Sequence, residues 1–134
     1  MKIDIHSHIL PGIDDGARTL EESVQIVKEM AGWGFERITC APHITRKFRN
    51  TQESIKEKFD ILCNALSESR IEVELRMSAE YRLNPETWPE ILRSSLLMPI
   101  EDRYILMEFP INDPTEMGKL VPMEEFRKVM SLGL

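Results

Sequence analysis

His6 and His8 stand two residues apart at the end of the alternating run Lys2-Ile3-Asp4-Ile5, and His43 follows Pro42; these are all the histidines of the chain. On an extended segment, side chains at i and i+2 point the same way, so the first two imidazoles share a side. Glu80 comes just after the alternation Val73, Leu75, Met77, and Glu108 closes the apolar run Tyr104 to Met107. Neutral imidazoles with carboxylates beside them make a nitrogen- and oxygen-rich site for a divalent ion, and such donors suit zinc, manganese or iron rather than a thiolate site. Asp14 and Asp15, in the loop after His8, offer a further hard oxygen. Singly, each residue has an ordinary explanation. A lone His-x-His is a weak motif, a histidine after a proline is commonly a packing residue, and an unpaired glutamate is normally solvated. Together they favour metal, because a carboxylate closing an apolar run needs a compensating cation.

Arg46, Lys47 and Arg49 follow His43 on one loop. Such a cluster is either a solvated face or a clamp for an anionic substrate such as a phosphate. Cys40 and Cys63 lie among apolar residues, where a thiol behaves as a small hydrophobe, and no Cys-x5-Arg phosphate cradle is present. Trp33, Trp88 and the methionines read as packing residues.

The elements that must position these groups follow from periodicity and punctuation. Lys2 to His6 reads as a strand, and Leu10 to Gly16 as a loop of turn formers. Thr19 with Glu22 has the spacing of a capping box, starting a helix with Leu20, Val24, Val27 and Ala31 on its apolar face and Gly32 and Gly34 at its end. Arg37 to Ala41 reads as a second strand stopped by Pro42, with a loop from there to Asn50. Thr51 caps a second helix with the stripe Ile55, Phe59, Leu62 and Leu66. Val73 to Met77 and Tyr104 to Met107 read as the third and fourth strands, with a short helix between them from Pro85 to about Leu92. After the loop Pro110 to Pro114, a last helix is expected over Met123 to Leu132, ended by Gly133. Strand–helix alternation implies an α/β fold with parallel strands and right-handed crossovers, either an open doubly wound sheet or a piece of an α/β barrel. In both, ligands gather at the C-terminal ends of the strands, where the candidate donors stand.

The 134 residues suit one domain, and 42% hydrophobic with 30% charged residues is an ordinary globular mixture. No apolar run approaches the roughly 20 residues of a membrane span, and MKIDIHSH has no signal-peptide character. A net charge of −6 disfavours a dedicated nucleic-acid binder. The expected setting is cytoplasmic.

The segment Ile5-His6-Ser7-His8-Ile9-Leu10-Pro11-Gly12-Ile13-Asp14-Asp15-Gly16 resembles the opening motif of the polymerase-and-histidinol-phosphatase (PHP) superfamily, in particular its bacterial capsular-polysaccharide tyrosine phosphatases. Ala41-Pro42-His43, Ser78-Ala79-Glu80 and Tyr104-Ile105-Leu106-Met107-Glu108-Phe109 agree with that family in order and spacing. The resemblance implies a distorted parallel α/β barrel holding a cluster of metal ions, commonly manganese, at its strand ends. It also implies hydrolysis of phosphotyrosine on the tyrosine kinases that control polysaccharide polymerisation and export. Carried onto this chain, it makes His6 and His8 ligands of one ion, Glu80 a bridging ligand, and His43 and Glu108 ligands of the others. Asp15 is then the loop aspartate near the cluster. Asp15 and Arg46 are the catalytic candidates, and Arg46, Lys47 and Arg49 the substrate-binding ones. Metal ions activate water and neutralise phosphoryl oxygens, so no cysteine nucleophile is needed.

Typical members are much longer than this chain and carry a further histidine ligand and an Asp-x-His motif beyond its last residue. Residues 1–134 are therefore expected to form a single truncated PHP domain, with the N-terminal part of the ligand set. A non-catalytic metal- or phosphate-binding remnant, and a PHP hydrolase of a small phosphomonoester such as histidinol phosphate, are the alternatives. Four parallel strands cannot close a barrel, which takes about eight. Self-association, most simply as a two-fold dimer of half-barrels, is expected in consequence.

Overall fold

The computed structural model describes residues 1–83, 97–109 and 127. The expected helices over 85–92 and 123–132, the loop 110–114 and Trp88 lie outside them, Arg127 alone excepted.

Two helices form where their caps predict. The Thr19 hydroxyl accepts the N–H of Glu22 at 3.2 Å and opens α1 (Leu20–Gly32), while the Glu22 carboxylate reaches back to the N–H of Arg18 rather than to that of Thr19. Gly34, at φ +85°, takes the left-handed turn that ends the helix. Thr51 and Ser54 exchange side-chain and backbone hydrogen bonds in a full capping box that opens α2 (Gln52–Glu68). The far end of α2 is a Schellman motif: Ile71 N–H reaches Leu66 O at 3.0 Å and Arg70 N–H reaches Ser67 O at 3.1 Å, with Arg70 left-handed at φ 54°.

The strands are β1 (Lys2–Ser7), β2 (Phe35–Cys40), β3 (His43–Ile44), β4 (Glu74–Met77), β5 (Glu80–Arg82) and β6 (Leu106–Glu108). All their pairings are parallel, in two three-stranded sheets ordered β1-β2-β4 and β3-β5-β6. Strands β3 and β5 correct the expectation that His43 sits in a loop and that Glu80 merely follows a strand. Pro42 cannot donate to a ladder, so the second strand breaks at Ala41-Pro42 and resumes at His43. Its neighbour breaks in step at Ser78-Ala79. Bonds from Ala41 N–H to Ser7 O (2.9 Å), Ser78 N–H to Cys40 O (2.9 Å) and Glu80 N–H to Pro42 O (3.0 Å) carry the pairing across the break. The two sheets are thus one surface with a crease. Joined across it, neighbours follow chain order, as in an α/β barrel, whereas a doubly wound sheet reverses direction. Among the described residues the barrel does not close.

The fourth strand also starts later than expected. Tyr104 instead pairs with Ile100, through a turn whose Glu101 and Asp102 are both left-handed.

Both helices pack on the first sheet and on each other. Ile55, Leu62 and Leu66 of α2 are buried, with Phe59 partly so. On α1 the buried residues are Val27 and Ser23, flanked by Leu20, Val24, Ile26 and Met30. Ala31 does not join that core. Cys40 and Cys63 are free thiols, and burial pushes both upward in pKa, as expected of packing residues. Tyr81 is fully buried, its hydroxyl accepts the N–H of Met98 at 2.7 Å, and burial pushes the phenol up to about 12. Ser78 Oγ donates to Met98 O at 2.8 Å, so the crease also anchors the segment leading to β6. Among the described residues no helix is long and apolar enough to cross a membrane.

Candidate metal centre

The crease brings the expected donors together. His6 ends its run on β1 and His8 lies just beyond it; His43 opens β3, Glu80 opens β5 and Glu108 ends β6. Glu80 is the hub. Its side chain is 7% exposed, and its Oε2 lies 3.2 Å from His6 Nε2, 3.2 Å from His8 Nε2 and 3.1 Å from His43 Nδ1. His6 Nε2 and His8 Nε2 are themselves 3.0 Å apart.

Hydrogen bonds account for only part of this convergence. His8 Nδ1 lies 2.8 Å from Asp14 Oδ2, an acceptor, and so carries a proton; in the neutral ring Nε2 is then a lone pair. That lone pair can accept from the His6 ring nitrogen 3.0 Å away, but it also faces a Glu80 oxygen at 3.2 Å, a contact that needs a proton or a metal cation between the two. Donors about 2.1 Å from one ion are themselves about 3 Å apart, so the separations fit shared coordination. His43 Nδ1, although close to Glu80, is not aligned for a hydrogen bond. With Glu108 Oε2 it makes two of the three buried side-chain atoms lacking a hydrogen-bond partner among the described residues, the third being Asp4 Oδ2. Three donor sets are compact enough to hold an ion: His6, His8 and Glu80; His8, Asp15 and His43; and His43, Glu80 and Glu108.

Asp14 and Asp15, indistinguishable by type, have different surroundings. Asp14 is enclosed. Its Oδ2 takes both the His8 ring and the His43 backbone N–H (3.0 Å), and its Oδ1 takes Gly16 N–H at 2.9 Å. Burial opposes its charge, but these hydrogen bonds outweigh it and hold the carboxyl below its ordinary value; the same contact raises His8. Asp14 therefore orients the His8 ring and supports it from behind. Asp15 is the aspartate at the opening, 60% exposed, with Oδ1 3.4 Å from His43 Nε2.

The loop after β1 is held against the cluster by close backbone contact. Ala17 N–H donates to His8 O, and a Cβ on Gly16 would lie 1.9 Å from that same oxygen, so only glycine fits. Asn50 Nδ2 ties this loop to β3 by donating to Ile13 O and His43 O.

Arg46 and Lys47 occupy the exposed tip of the loop after β3, and Arg49 is exposed just beyond. The Phe48 ring lies parallel to the His43 ring, 7° between planes and 5.8 Å between centroids, and Lys47 Nζ sits 4.5 Å over Phe48. The basic loop is thereby linked to the cluster through one aromatic contact.

Phe48, Asn50 and Arg82 are site residues that composition and motif do not reveal. Arg82 had a readable signal, since it lies two residues after Glu80 on an extended segment. Its Nη1 is 3.1 Å from Glu108 Oε1. Phe48 and Asn50 had none.

The family model of capsular polysaccharide synthesis proteins CpsB/CapC matches residues 2–123. Tyrosine-protein phosphatase YwqE of Bacillus subtilis is 31% identical over 111 residues, which are 82% of this chain and 44% of that protein. Tyrosine-protein phosphatase CpsB of Streptococcus agalactiae is 37% identical over 70 residues, 52% of this chain and 29% of that protein. A solved structure from work on YwqE of Bacillus subtilis and CpsB of Streptococcus pneumoniae, described as metal-dependent tyrosine phosphatases, superposes with TM-score 0.73 at 32% identity, covering 81% of this chain and 44% of that one. The chain thus spans less than half the length of the relatives it matches. With its parallel creased sheets and its clustered imidazoles and carboxylates, the chain belongs to the CpsB/CapC family.

Proposed function

We propose that residues 1–134 are part of a PHP-type metal-dependent phosphoester hydrolase that removes phosphate from tyrosine on proteins of capsule or exopolysaccharide synthesis. The observation that carries this reading is the convergence of three imidazole nitrogens on one oxygen of Glu80. His6, His8 and Glu80 hold one ion, His43, Glu80 and Glu108 a second, and Asp15 extends the set with His8 and His43. Manganese is the assigned metal, with iron or zinc as substitutes, since borderline and hard ions accept this nitrogen and oxygen mixture. Bound divalent ions supply Lewis acidity and neutralise charge on a phosphoryl group.

The chain's own residues do the rest. Asp14 fixes the tautomer of His8, so Nε2 is always the coordinating atom. Asp15, at the exposed rim, is assigned to proton handling beside the phosphoryl group. Arg46, Lys47 and Arg49 are assigned to drawing the anionic substrate to the mouth, with Arg46 closest in role to the reaction. The partner is a phosphotyrosine protein of the tyrosine-kinase type, met in the cytoplasm, and neither nucleic acid nor membrane insertion belongs to this reading.

Assays with a phosphotyrosine peptide and with histidinol phosphate, each with and without added manganese, test it. Metal-dependent turnover of the peptide is expected. Turnover of histidinol phosphate alone would reassign the substrate. Metal uptake without turnover of either would make this stretch a binding remnant.

A further inference from the structure

Parallel pairing of β5 with β6 sets Arg82 directly across from Glu108. The two oxygens of Glu108 then have different surroundings. Oε1 lies 3.1 Å from Arg82 Nη1, while Oε2 is buried without a hydrogen-bond partner, 3.8 Å from His43 Nδ1. A carboxylate with both oxygens free can chelate an ion or swing between ions. One with an oxygen held by a guanidinium is biased toward offering the other. Glu80 lies two residues before Arg82 on the same strand, so one short element supplies both the hub carboxylate and the cation that restrains its neighbour.

Resting on the reading of this cluster as a metal centre, we infer that Arg82 is a positioning residue: it holds Glu108 in a one-oxygen mode toward the ion shared with His43 and Glu80. The planar, permanently charged guanidinium suits that task, because it fixes the direction of the carboxylate as well as its charge. A lysine ammonium supplies charge without the fork. The cation also offsets repulsion between Glu80 and Glu108 before an ion arrives.

The test is cobalt(II) titration of the 134-residue chain, followed by visible absorption, for wild type, Arg82→Met, Arg82→Lys and Glu108→Gln, with near-ultraviolet circular dichroism reporting the fold. Arg82→Met is expected to weaken, roughly 10- to 100-fold, the same binding step that Glu108→Gln removes, and to leave the step supplied by His6, His8 and Glu80 unchanged. Arg82→Lys should restore part of the affinity, with an altered absorption band as Glu108 gains a second contact to the ion. Identical titrations for wild type and Arg82→Met overturn the inference. Should Arg82→Met lose its fold, Arg82→Lys decides alone, and an unchanged band and affinity count against it. A wild-type chain that takes up no cobalt overturns the metal reading itself, and this inference with it. Normal loading by both Arg82 variants, with the step still lost in Glu108→Gln, overturns only the role of Arg82.

Discussion

Glu80 concentrates the chemistry of the site in one carboxylate. It belongs to two of the three donor sets, so Glu80→Gln should cost the chain more bound metal than either His6→Ala or Glu108→Gln, by elemental analysis after manganese loading and gel filtration. Asp14 contributes from behind. Asp14→Asn leaves an isosteric side chain but removes the charge that favours a protonated His8 Nδ1, and should weaken loading roughly 10- to 100-fold without altering ion stoichiometry at saturation. On the basic loop, Arg46→Ala with Arg49→Ala should raise the inhibition constant of phosphate several-fold, and an unchanged constant would return both residues to a solvated face. The clustering of the candidate donors was legible from sequence because histidine is scarce here and each stands at the end of an apolar or alternating run. The division of labour between Asp14 and Asp15 was not. Adjacent identical residues differ only in how the loop turns, and that depends on Gly16 meeting the carbonyl of His8.

At the level of elements, α1 and α2 were readable from caps and stripes, whereas β3 and β5 were not. Two or three residues cannot display a period, and the interruption at Pro42 looks from sequence like an end rather than a break. Neighbouring strands break together, and only the pairing between them reveals it. Two element-scale variants probe this. Gly16→Ala should abolish metal uptake while leaving the helical circular dichroism of α1 and α2 intact, because the added Cβ pushes the Asp14 loop off His8 and touches neither helix. Arg70→Gly should stabilise the chain by about 1 kcal/mol in urea titrations, since Arg70 occupies the left-handed position of the α2 cap where a side chain is strained.

On the scale of the molecule, β1 is a terminal strand of its sheet among the described residues and leaves Ile5 59% and Ile3 37% exposed. An apolar strand with a free edge templates association. The chain should therefore behave as a dimer or larger species in light scattering at micromolar concentration, and Ile5→Lys should shift it toward monomer. The crease has a further consequence, for the way the chain breathes. β2 and β4 pack against the helices, while β3, β5 and β6 form a smaller patch with short ladders, where local opening costs less. The donors straddle the line, two imidazoles beside the first sheet and the remaining groups on the second. An ion held by both would be a cross-brace over the crease, added to the hydrogen bonds and shared core that already join the two sheets. Amide hydrogen exchange in Glu80–Arg82 and Leu106–Glu108 should slow markedly when metal is added, and that in the middle of α1 hardly at all. The protection gained would rise with free metal concentration as mass action requires. In this molecule a bound ion would then also tighten the junction between the two sheets.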